Sequence, residues 1–422
     1  MDYTTIQAQL DKSWRVFDPQ RVAFLREVLA WVDQLDRTYR VIQIAGTNGK
    51  GSTGAILREI LRASGASVGH FASPAVYEDR EQIWLNGEFV APEIWVQAYE
   101  KLLAALTEHD LTADALSYFE TWTLVALMVF EMAEVDYAIV EAGLGGLHDA
   151  TNIIAAPAVV AFTEIGLDHL AILGNSLAEI ARNKAGLMKE NALIVSDLAQ
   201  ESVVKDVLQA QAKQVGAQWF ERDVQVAIQS STLRGLTVEI DAVTYVSALK
   251  GRFQARNLAV VWQILAALES RFEVDFTVEN RRSGLARARM IGRLQVDDRR
   301  RLVWDGAHNL DAAQALVQAL ADWRLPLKPI LILGILADKD YQAMLTELLP
   351  HFARVIAVTP ANPRALLAAD LVTAIKTLAP EMSVEQVAAD QALNAAQQIR
   401  RDGQFIVIAG SFYTLRAVGG QK

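Results

Sequence analysis

Short apolar runs alternate with longer segments of helical periodicity along most of the chain. Val41–Ala45, Tyr137–Val140 and Ala158–Thr163 are largely apolar on both faces, which is typical of central strands in a parallel sheet. Thr53–Ala63 and Gln254–Arg271 instead space their apolar residues three or four positions apart, as helices do. The alternation predicts an α/β fold in which helices cover a mostly parallel sheet.

Turn and capping residues mark where several of these elements begin. Asn86-Gly87 lies between two apolar runs and predicts a two-residue hairpin. Asp18 and Pro19 predict the N-cap and the first residue of a helix that ends at Trp31. Further along, a serine with a glutamate three residues later predicts a capping box for a short helix, at Ser176 and Glu179.

The strand–helix alternation starts afresh near Arg287–Arg293. Predicted strands such as Leu302–Trp304, Ile330–Leu333 and Phe405–Ile408 are again separated by helical segments. A chain of 422 residues is long enough for two domains, each with its own core. We therefore expect a first α/β domain over residues 1–288 and a second, Rossmann-like α/β domain over residues 289–422.

The composition narrows the class of protein. Apolar residues make up 52% and charged residues 21%, which indicates a globular chain. The net charge of −10 argues against nucleic acid as a partner and requires a local basic pocket for any anionic substrate. The absence of cysteine excludes disulfides and thiolate chemistry. Neither a signal peptide nor a bilayer-length apolar run is present, so we expect a cytoplasmic protein that does not bind membranes.

The stretch GTNGKGS, Gly46 to Ser52, predicts a phosphate-binding loop. It lies between a predicted strand and a predicted helix, where glycines bring backbone N–H groups close to an anion and the helix dipole favours negative charge. Lys50 adds a positive charge. The spacing departs from the common P-loop pattern, because Gly51 separates Lys50 from Ser52. On this motif alone, kinases, GTPases, ATPases and ligases all remain open.

Polar side chains follow three of the predicted strands. Ser73, Glu141 and His169 each lie at or just after a strand end, and carboxyl ends of parallel strands face the ligand crevice of such sheets. Magnesium bound to phosphates takes one or two carboxylates, which favours Glu141 as a ligand. Four further histidines, His70, His109, His148 and His351, carry no pattern that indicates a role, and we expect them to be ordinary surface or core residues.

Together these motifs resemble the folylpolyglutamate synthase / dihydrofolate synthase family of Mur-type ATP-dependent amide ligases. The matching strings occur in family order over nearly the whole chain. They are GTNGKGS (Gly46–Ser52), ASP (Ala72–Pro74), SYFE (Ser117–Glu120), EAGLGG (Glu141–Gly146), DATN (Asp149–Asn152), GLDH (Gly166–His169), KAG (Lys184–Gly186), GRFQARN (Gly251–Asn257), GR (Gly292–Arg293), DGAHN (Asp305–Asn309) and AGS (Ala409–Ser411).

The resemblance implies roles for individual residues. Those implied to contact ATP are Asn48, Gly49, Lys50, Gly51, Ser52, Asn257, Arg293, Asp305 and His308. Those implied to bind magnesium are Ser52, Ser73, Glu141 and His169. The implied catalytic set is Lys50, Glu141, His169 and Lys184, of which Lys184 matches a lysine that reacts with carbon dioxide to give a carbamate (N6-carboxylysine). Phe119 and Asp149 fall where the family binds its pterin substrate.

The resemblance also implies a reaction. ATP would phosphorylate a substrate carboxylate, and L-glutamate would attack the acyl phosphate to form an amide. We expect a P-loop ligase domain and a glutamate-ligase domain, a folate or dihydropteroate acceptor, two magnesium sites and a monomer, with a monovalent cation such as K+ left open. The preferred interpretation is a folylpolyglutamate synthase, with dihydrofolate synthase as a second or sole activity.

Two rival interpretations remain, and the sequence departs from the family in places. A peptidoglycan Mur ligase would carry an extra N-terminal domain, for which residues 1–45 are too few. A divergent paralogue would bind folate or nucleotide without ligating. The sequence departs from the family's usual residues at Ala75, Leu147 and the pair Met290-Ile291. These departures affect the identity of the substrate more than the ATP site.

Overall fold

The computed structural model describes residues 2–14, 18, 20–32 and 38–419. These residues fall into two compact units, one drawn from 1–75, 79–226 and 256–287 and the other from 76–78, 227–255 and 288–422. Both units pack helices on mostly parallel sheets, so the predicted α/β fold class is confirmed. The predicted division into 1–288 and 289–422 stays a prediction.

One mixed sheet forms the centre of the first unit. Its strands are β1 Arg40–Ala45, β2 Val68–Phe71, β3 Ile83–Leu85, β4 Glu88–Phe89, β5 Tyr137–Glu141, β6 Val159–Phe162, β7 Leu193–Ser196 and β8 Gln218–Trp219. Among the described residues they lie in the order β4-β3-β2-β5-β1-β6-β7-β8, parallel from β2 to β8. The predicted hairpin joins β3 to β4, with Asn86 and Gly87 at φ of 49° and 121°, as a two-residue turn requires.

Helices cover both faces of this sheet. They are α1 Tyr3–Leu10, α2 Arg21–Trp31, α3 Lys50–Ala63, α4 Pro92–Glu108, α5 Tyr118–Met132, α6 Leu170–Leu173, α7 Leu177–Ala185, α8 Ser202–Val215, α9 Gln254–Arg271 and α10 Val278–Arg287. The predicted start of α2 is wrong: Gln20 is its N-cap, while Pro19 lies outside the described residues. Asp18 instead accepts a hydrogen bond from the Gln20 N–H at 2.9 Å and so closes the turn that precedes the helix.

The second unit contains two sheets. An antiparallel meander consists of β9 Ala227–Thr232, β10 Gly235–Ile240 and β11 Val243–Ser247. The larger sheet consists of β12 Gln295–Asp297, β13 Leu302–Trp304, β14 Ile330–Leu333, β15 Arg354–Ala357, β16 Val384–Gln386 and β17 Ile406–Ala409. Its strand order is β12-β13-β17-β14-β15-β16, in which only the β12–β13 pair is antiparallel.

Five further helices belong to this second unit in the part of the chain that the structure describes. They are α11 Leu310–Trp323, α12 Tyr341–Leu348, α13 Ala368–Leu378, α14 Ala389–Ile399 and α15 Phe412–Val418. The buried faces of α11 and α12 and those of β14 and β15 form a continuous apolar core. Nowhere in the described ranges is a helix long and apolar enough to span a membrane.

The register of the first sheet places three strand ends at one edge. Ile44 of β1 pairs with Glu141 of β5, and Ala45 pairs with Phe162 of β6. Because these strands are parallel, the segments that follow them leave the sheet side by side. The loop from Gly46, the carboxylate of Glu141 and the segment after Phe162 therefore share the edge at which α/β sheets bind ligands.

Candidate functional site

The glycine-rich loop after β1 ends at the first turn of α3. Gly49 is the N-cap of α3, and its φ of 93° lies in the left-handed region that favours glycine. A β-carbon there would overlap Oδ1 of Asn257, so glycine is needed for space as well as for backbone conformation. Ser52 is buried in the first turn of α3. The free N–H groups of a helix start and its dipole make this turn suited to an anion.

The segment after β6 holds the outer side of this loop. The backbone N–H groups of Thr47 and Asn48 donate to the carbonyl oxygen of Glu164 at 2.7 and 3.3 Å. The Thr47 hydroxyl donates to the carbonyl of Gly166 at 3.0 Å, and the Asn48 amide lies 3.4 Å from Oε2 of Glu164. These bonds give the loop a fixed shape.

Arg256 of α9 forms hydrogen bonds with the same segment. The sequence analysis gave this residue no role. Its guanidinium donates to Oε1 of Glu164 at 2.5 Å and to Oδ2 of Asp197 at 2.8 Å. The next residue is Asn257, whose side chain lies against Gly49. Arg256 therefore links three segments around the loop, and only the fold brings its two carboxylate partners together.

Two lysines converge on the first residue of the loop. Nζ of Lys50 and Nζ of Lys184 lie 2.9 and 3.0 Å from the carbonyl oxygen of Gly46. Lys184 is only 4% exposed. Burial and, to a smaller extent, the positive charge of Lys50 lower the pKa of Lys184 to about 7 against the opposing effect of Asp149 and Asp168. A buried amine that loses its proton near neutrality is thus placed beside the phosphate loop.

Lys184 is positioned by the loop that follows β5. Gly146 N–H donates to Oδ1 of Asn183 at 3.0 Å, and Leu147 N–H donates to the Asn183 carbonyl at 2.7 Å. A β-carbon at Gly146 would lie 2.5 Å from the Lys184 carbonyl oxygen, so this glycine permits the close approach. The EAGLGG motif therefore packs directly on the last turn of α7.

The predicted capping box of α7 forms only in part. The Ser176 hydroxyl accepts from Glu179 N–H at 3.3 Å, as predicted. The carboxylate of Glu179 does not return to the N–H of Ser176 and accepts from Asn175 N–H at 2.6 Å instead. The second hydrogen bond of the box is therefore made by Asn175 N–H, one residue before the N-cap, instead of by Ser176 N–H.

Glu141 ends β5 and is almost fully buried. Its Oε1 lies 2.7 Å from Nε2 of His70, which is buried in β2. Burial lowers the pKa of His70, and the neighbouring Glu141 opposes that effect. The sequence analysis gave His70 no role. The available signal was that His70 lies inside a strand whose other residues are buried. A buried histidine needs a polar partner, so this position indicated one.

Ser73 and His169, the other predicted cation ligands, lie in more open positions. Ser73 follows β2 and is half-buried, while the His169 side chain is 41% exposed, with Nε2 3.7 Å from Oδ2 of Asp168. Within the described ranges, no three His, Asp or Glu side chains form a cage for a metal ion. One buried carboxylate, that of Glu141, fits magnesium that arrives on phosphates, because such magnesium needs few protein ligands.

Phe119 and Asp149 both support the loop after β5. The Phe119 ring stacks on Phe71 with centroids 5.7 Å apart, and it lies where a β-carbon on Gly143 would be. The buried Asp149 carboxylate accepts from Leu144 N–H at 2.7 Å and from Thr151 N–H at 2.9 Å. Burial raises the pKa of Asp149 against these hydrogen bonds. A substrate contact for either residue stays a prediction.

Arg293, Asp305 and His308 come together within the second unit. The two oxygens of buried Asp305 accept from Leu294 and Ala307 N–H groups, both at 2.8 Å. Burial raises the pKa of Asp305, and the charge of Arg293 opposes that shift. The Arg293 guanidinium lies 4.8 Å from the Phe412 ring centre, and Nδ1 of His308 lies 2.9 Å from the Gly306 carbonyl.

Comparison with known proteins places the chain among ligases. Residues 44–265 match the Mur ligase middle domain, and residues 289–412 match the glutamate ligase domain of Mur ligases. The folylpolyglutamate synthase of Lacticaseibacillus casei is 33% identical over 435 residues, covering 99% of this chain and 98% of that protein.

Two solved structures share both fold and sequence with the chain. Folylpolyglutamate synthase of Mycobacterium tuberculosis complexed with ADP superposes with a TM-score of 0.88 at 28% identity, covering 98% of this chain and 97% of that one. A bifunctional folylpolyglutamate synthase/dihydrofolate synthase with Mn, AMPPNP and L-glutamate bound gives 0.81 at 28% identity, covering 99% and 97%. The chain belongs to the folylpolyglutamate synthase / dihydrofolate synthase family of Mur-type ligases.

Proposed function

We propose that this protein adds L-glutamate to the γ-carboxylate of a folate in an ATP-dependent reaction that passes through an acyl phosphate. Membership of the family makes it an ATP-dependent ligase of glutamate and folate. The observation that carries the proposal is the convergence of Lys50 and Lys184 on Gly46 at the start of a preformed phosphate loop. A binding protein has no need of a second, buried amine at that point.

In this account the chain's main task is to place reactants and neutralise charge. The N–H groups from Gly49 to Ser52 and the Nζ of Lys50 hold the ATP phosphates, with Asn48 and Asn257 shaping the loop. Ser52, Ser73, Glu141 and His169 would hold magnesium, at two sites. Magnesium supplies neutralisation of the charge that develops on the phosphoryl oxygens.

Lys184 acts as a carbamate in this proposal. A protonated amine cannot approach a dication, whereas the carbamate formed with carbon dioxide is an anionic oxygen donor. Carbon dioxide reacts with the neutral amine, and the lowered pKa of about 7 makes that form available near neutrality. The burial that lowers this pKa thus prepares the residue for its modification.

The remaining predicted residues contact nucleotide or acceptor. Arg293, Asp305 and His308 of the second unit contact ATP, while Phe119 and Asp149 contact the pterin. Leu147, which is 45% exposed, occupies the position of the family's usual arginine. We assign this position to recognition of the acceptor. We propose that the working unit is a monomer.

An extension assay tests the function. The protein is incubated with ATP, Mg2+, radiolabelled L-glutamate and either tetrahydrofolate or dihydropteroate. Label is expected in a folate with one more glutamate, and label on dihydropteroate would add dihydrofolate synthase activity. The L. casei relative is named for the first activity alone, whereas the bifunctional structure is named for both. ATP binding without extension of either acceptor would favour a protein that binds but does not ligate.

Removing Arg256 should weaken nucleotide binding more than it slows turnover. Arg256→Ala removes the hydrogen bonds to Glu164 and to the buried Asp197. The phosphate loop and Asn257 are then no longer linked through this side chain. We expect the Kd for ADP to rise about tenfold, which is ~1.4 kcal/mol. The Kd of Arg256→Lys should lie between those of the wild type and Arg256→Ala. An ammonium group keeps the charge but cannot reproduce the hydrogen bonds of a planar guanidinium to two carboxylates.

Calorimetric titration with ADP measures this effect. Arg252→Ala is the matched control, because Arg252 is four residues away and pairs with Asp322 in the second unit. An ADP affinity in Arg256→Ala equal to that of the control would show that the Arg256 network does not shape the loop.

A further inference from the structure

Two buried groups and the half-buried Arg58 form a hydrogen-bonded series that ends at Glu141. Nη1 of Arg58 lies 3.3 Å from Nδ1 of His70, and Nε2 of His70 lies 2.7 Å from Oε1 of Glu141. The side chains of His70 and Glu141 are 2% and 3% exposed. The three residues come from α3, β2 and β5, so only the fold brings them together.

The chemistry of Arg58 fixes the state of the imidazole. A guanidinium carries only N–H donors, so Nδ1 of His70 must accept from Arg58. The ring proton of neutral His70 is then on Nε2, which donates to Oε1 of Glu141. Both ring nitrogens are committed, and the ring can take no other orientation without losing one of the two bonds.

Arg58 is itself held in place from two sides. Its guanidinium carbon lies 4.5 Å from the centre of the Trp84 ring, a cation–π contact, and its Nε lies 4.0 Å from Oε1 of Glu59. Burial lowers the pKa of Arg58 to about 10, which leaves it charged at neutral pH. The series therefore starts from a fixed donor.

Gly54 provides the space for this series. A β-carbon on Gly54 would overlap Nε2 of His70 and would lie 3.1 Å from Oε1 of Glu141. Gly54 belongs to α3, the helix whose first turn forms the phosphate loop and whose third turn carries Arg58. The loop, the fixed donor and the glycine gap are thus parts of one helix, packed against the carboxylate at the end of β5.

We propose that His70 is a positioning residue, which holds the Glu141 carboxylate in one orientation for the divalent cation of the nucleotide complex. The hydrogen bond from His70 ends on Oε1 of Glu141. The other carboxylate oxygen is then available to the cation. The proposal rests on the proposed function, in which Glu141 is the cation ligand. Partners of this kind typically change metal affinity about 10- to 100-fold.

Binding of Mn2+ in the presence of AMPPNP tests the proposal without relying on turnover. Free Mn2+ is followed by electron paramagnetic resonance with the full-length protein. His70→Leu has nearly the same volume and cannot donate, so its Kd for Mn2+ should rise about tenfold. At saturating Mg2+ the kcat should stay within about threefold, since the cation is then forced onto the site.

Two conservative variants separate positioning from mere filling of space. The amide of His70→Gln reaches the place of Nε2 and can donate to Glu141, whereas the shorter His70→Asn cannot. We expect His70→Gln to recover most of the Mn2+ affinity and His70→Asn to resemble His70→Leu. This pair also decides the matter if His70→Leu does not fold. His109→Leu, which removes a histidine stacked on Trp31, is the matched control and should not change affinity.

Wild-type Mn2+ affinity in folded His70→Leu or His70→Asn would overturn the proposal, as would an equal loss in all three variants. Glu141→Gln tests the underlying function separately. If Glu141→Gln also keeps wild-type Mn2+ affinity, the role of Glu141 as a cation ligand is wrong. If only Glu141→Gln loses affinity, the ligand role stands and the inference about His70 fails.

Discussion

Lys184→Ala should lose most of its ligase activity, and short carboxylic acids should restore part of it. The expected fall in kcat is roughly 100- to 1,000-fold, the range for removing one preorganised electrostatic group from a reaction centre. Acetate or propionate can enter the space left by the side chain and replace the anionic oxygens of a carbamate. A lysine that acted through its ammonium group would instead be rescued by amines.

The lowered pKa of Lys184 adds a pH dependence to this prediction. Carbon dioxide reacts with the neutral amine, so at a fixed concentration of dissolved CO2 the rate at which CO2-depleted enzyme regains activity should rise as pH passes upward through about 7. Below that pH the amine is protonated and recovery should be slow. Lys205→Ala is the control, because Lys205 pairs with Glu221 at the surface. Unchanged activity in Lys184→Ala, or a loss that only amines rescue, would refute the carbamate.

Glu141→Ala should lose nearly all of its turnover. Glu141 is the buried carboxylate at the strand end beside the phosphate loop, and its loss also leaves His70 without its acceptor. We expect kcat to fall by about 1,000-fold or more, since the charge that neutralises the cation and the geometry that holds it are lost together. Glu141→Gln keeps the shape and loses the charge, so it should be nearly as inactive.

Titration of activity with Mg2+ measures this loss directly. Residual activity in either Glu141 variant should require much more Mg2+ than in the wild type. Glu239→Gln, at an exposed position on β10, is the control for removing a carboxylate elsewhere. A normal Mg2+ dependence together with substantial turnover in Glu141→Gln would exclude Glu141 as a ligand.

The parts of the site that follow local rules could be predicted from the sequence. A strand, glycines and a helix around Gly46–Ser52 define a phosphate loop by themselves, and Gly49 has the left-handed φ that such a turn requires. Glu141 could be placed because carboxyl ends of parallel strands share an edge, and the pairing of Ile44 with Glu141 confirms that placement.

Contacts made through the tertiary fold were beyond sequence reasoning. Lys184 looks like any lysine in the last turn of a short helix, and its burial comes from Gly46 and Gly146 in two distant loops. His70 and Arg256 were missed for the same reason, since the partner of His70 lies on another strand and those of Arg256 lie in segments that follow two strands. The family resemblance identified Lys184, whereas the structure supplies the physical reason why its amine can react.

Isotope transfer from folate to phosphate tests the central claim of an acyl phosphate most directly. Tetrahydrofolate labelled with 18O in its γ-carboxylate is incubated with the protein, ATP, Mg2+ and L-glutamate, and the inorganic phosphate is analysed by mass spectrometry. One carboxylate oxygen stays in the amide and the other leaves with the phosphate. One 18O is therefore expected in the phosphate for each glutamate added. Unlabelled phosphate, or glutamate addition without release of phosphate, would contradict it.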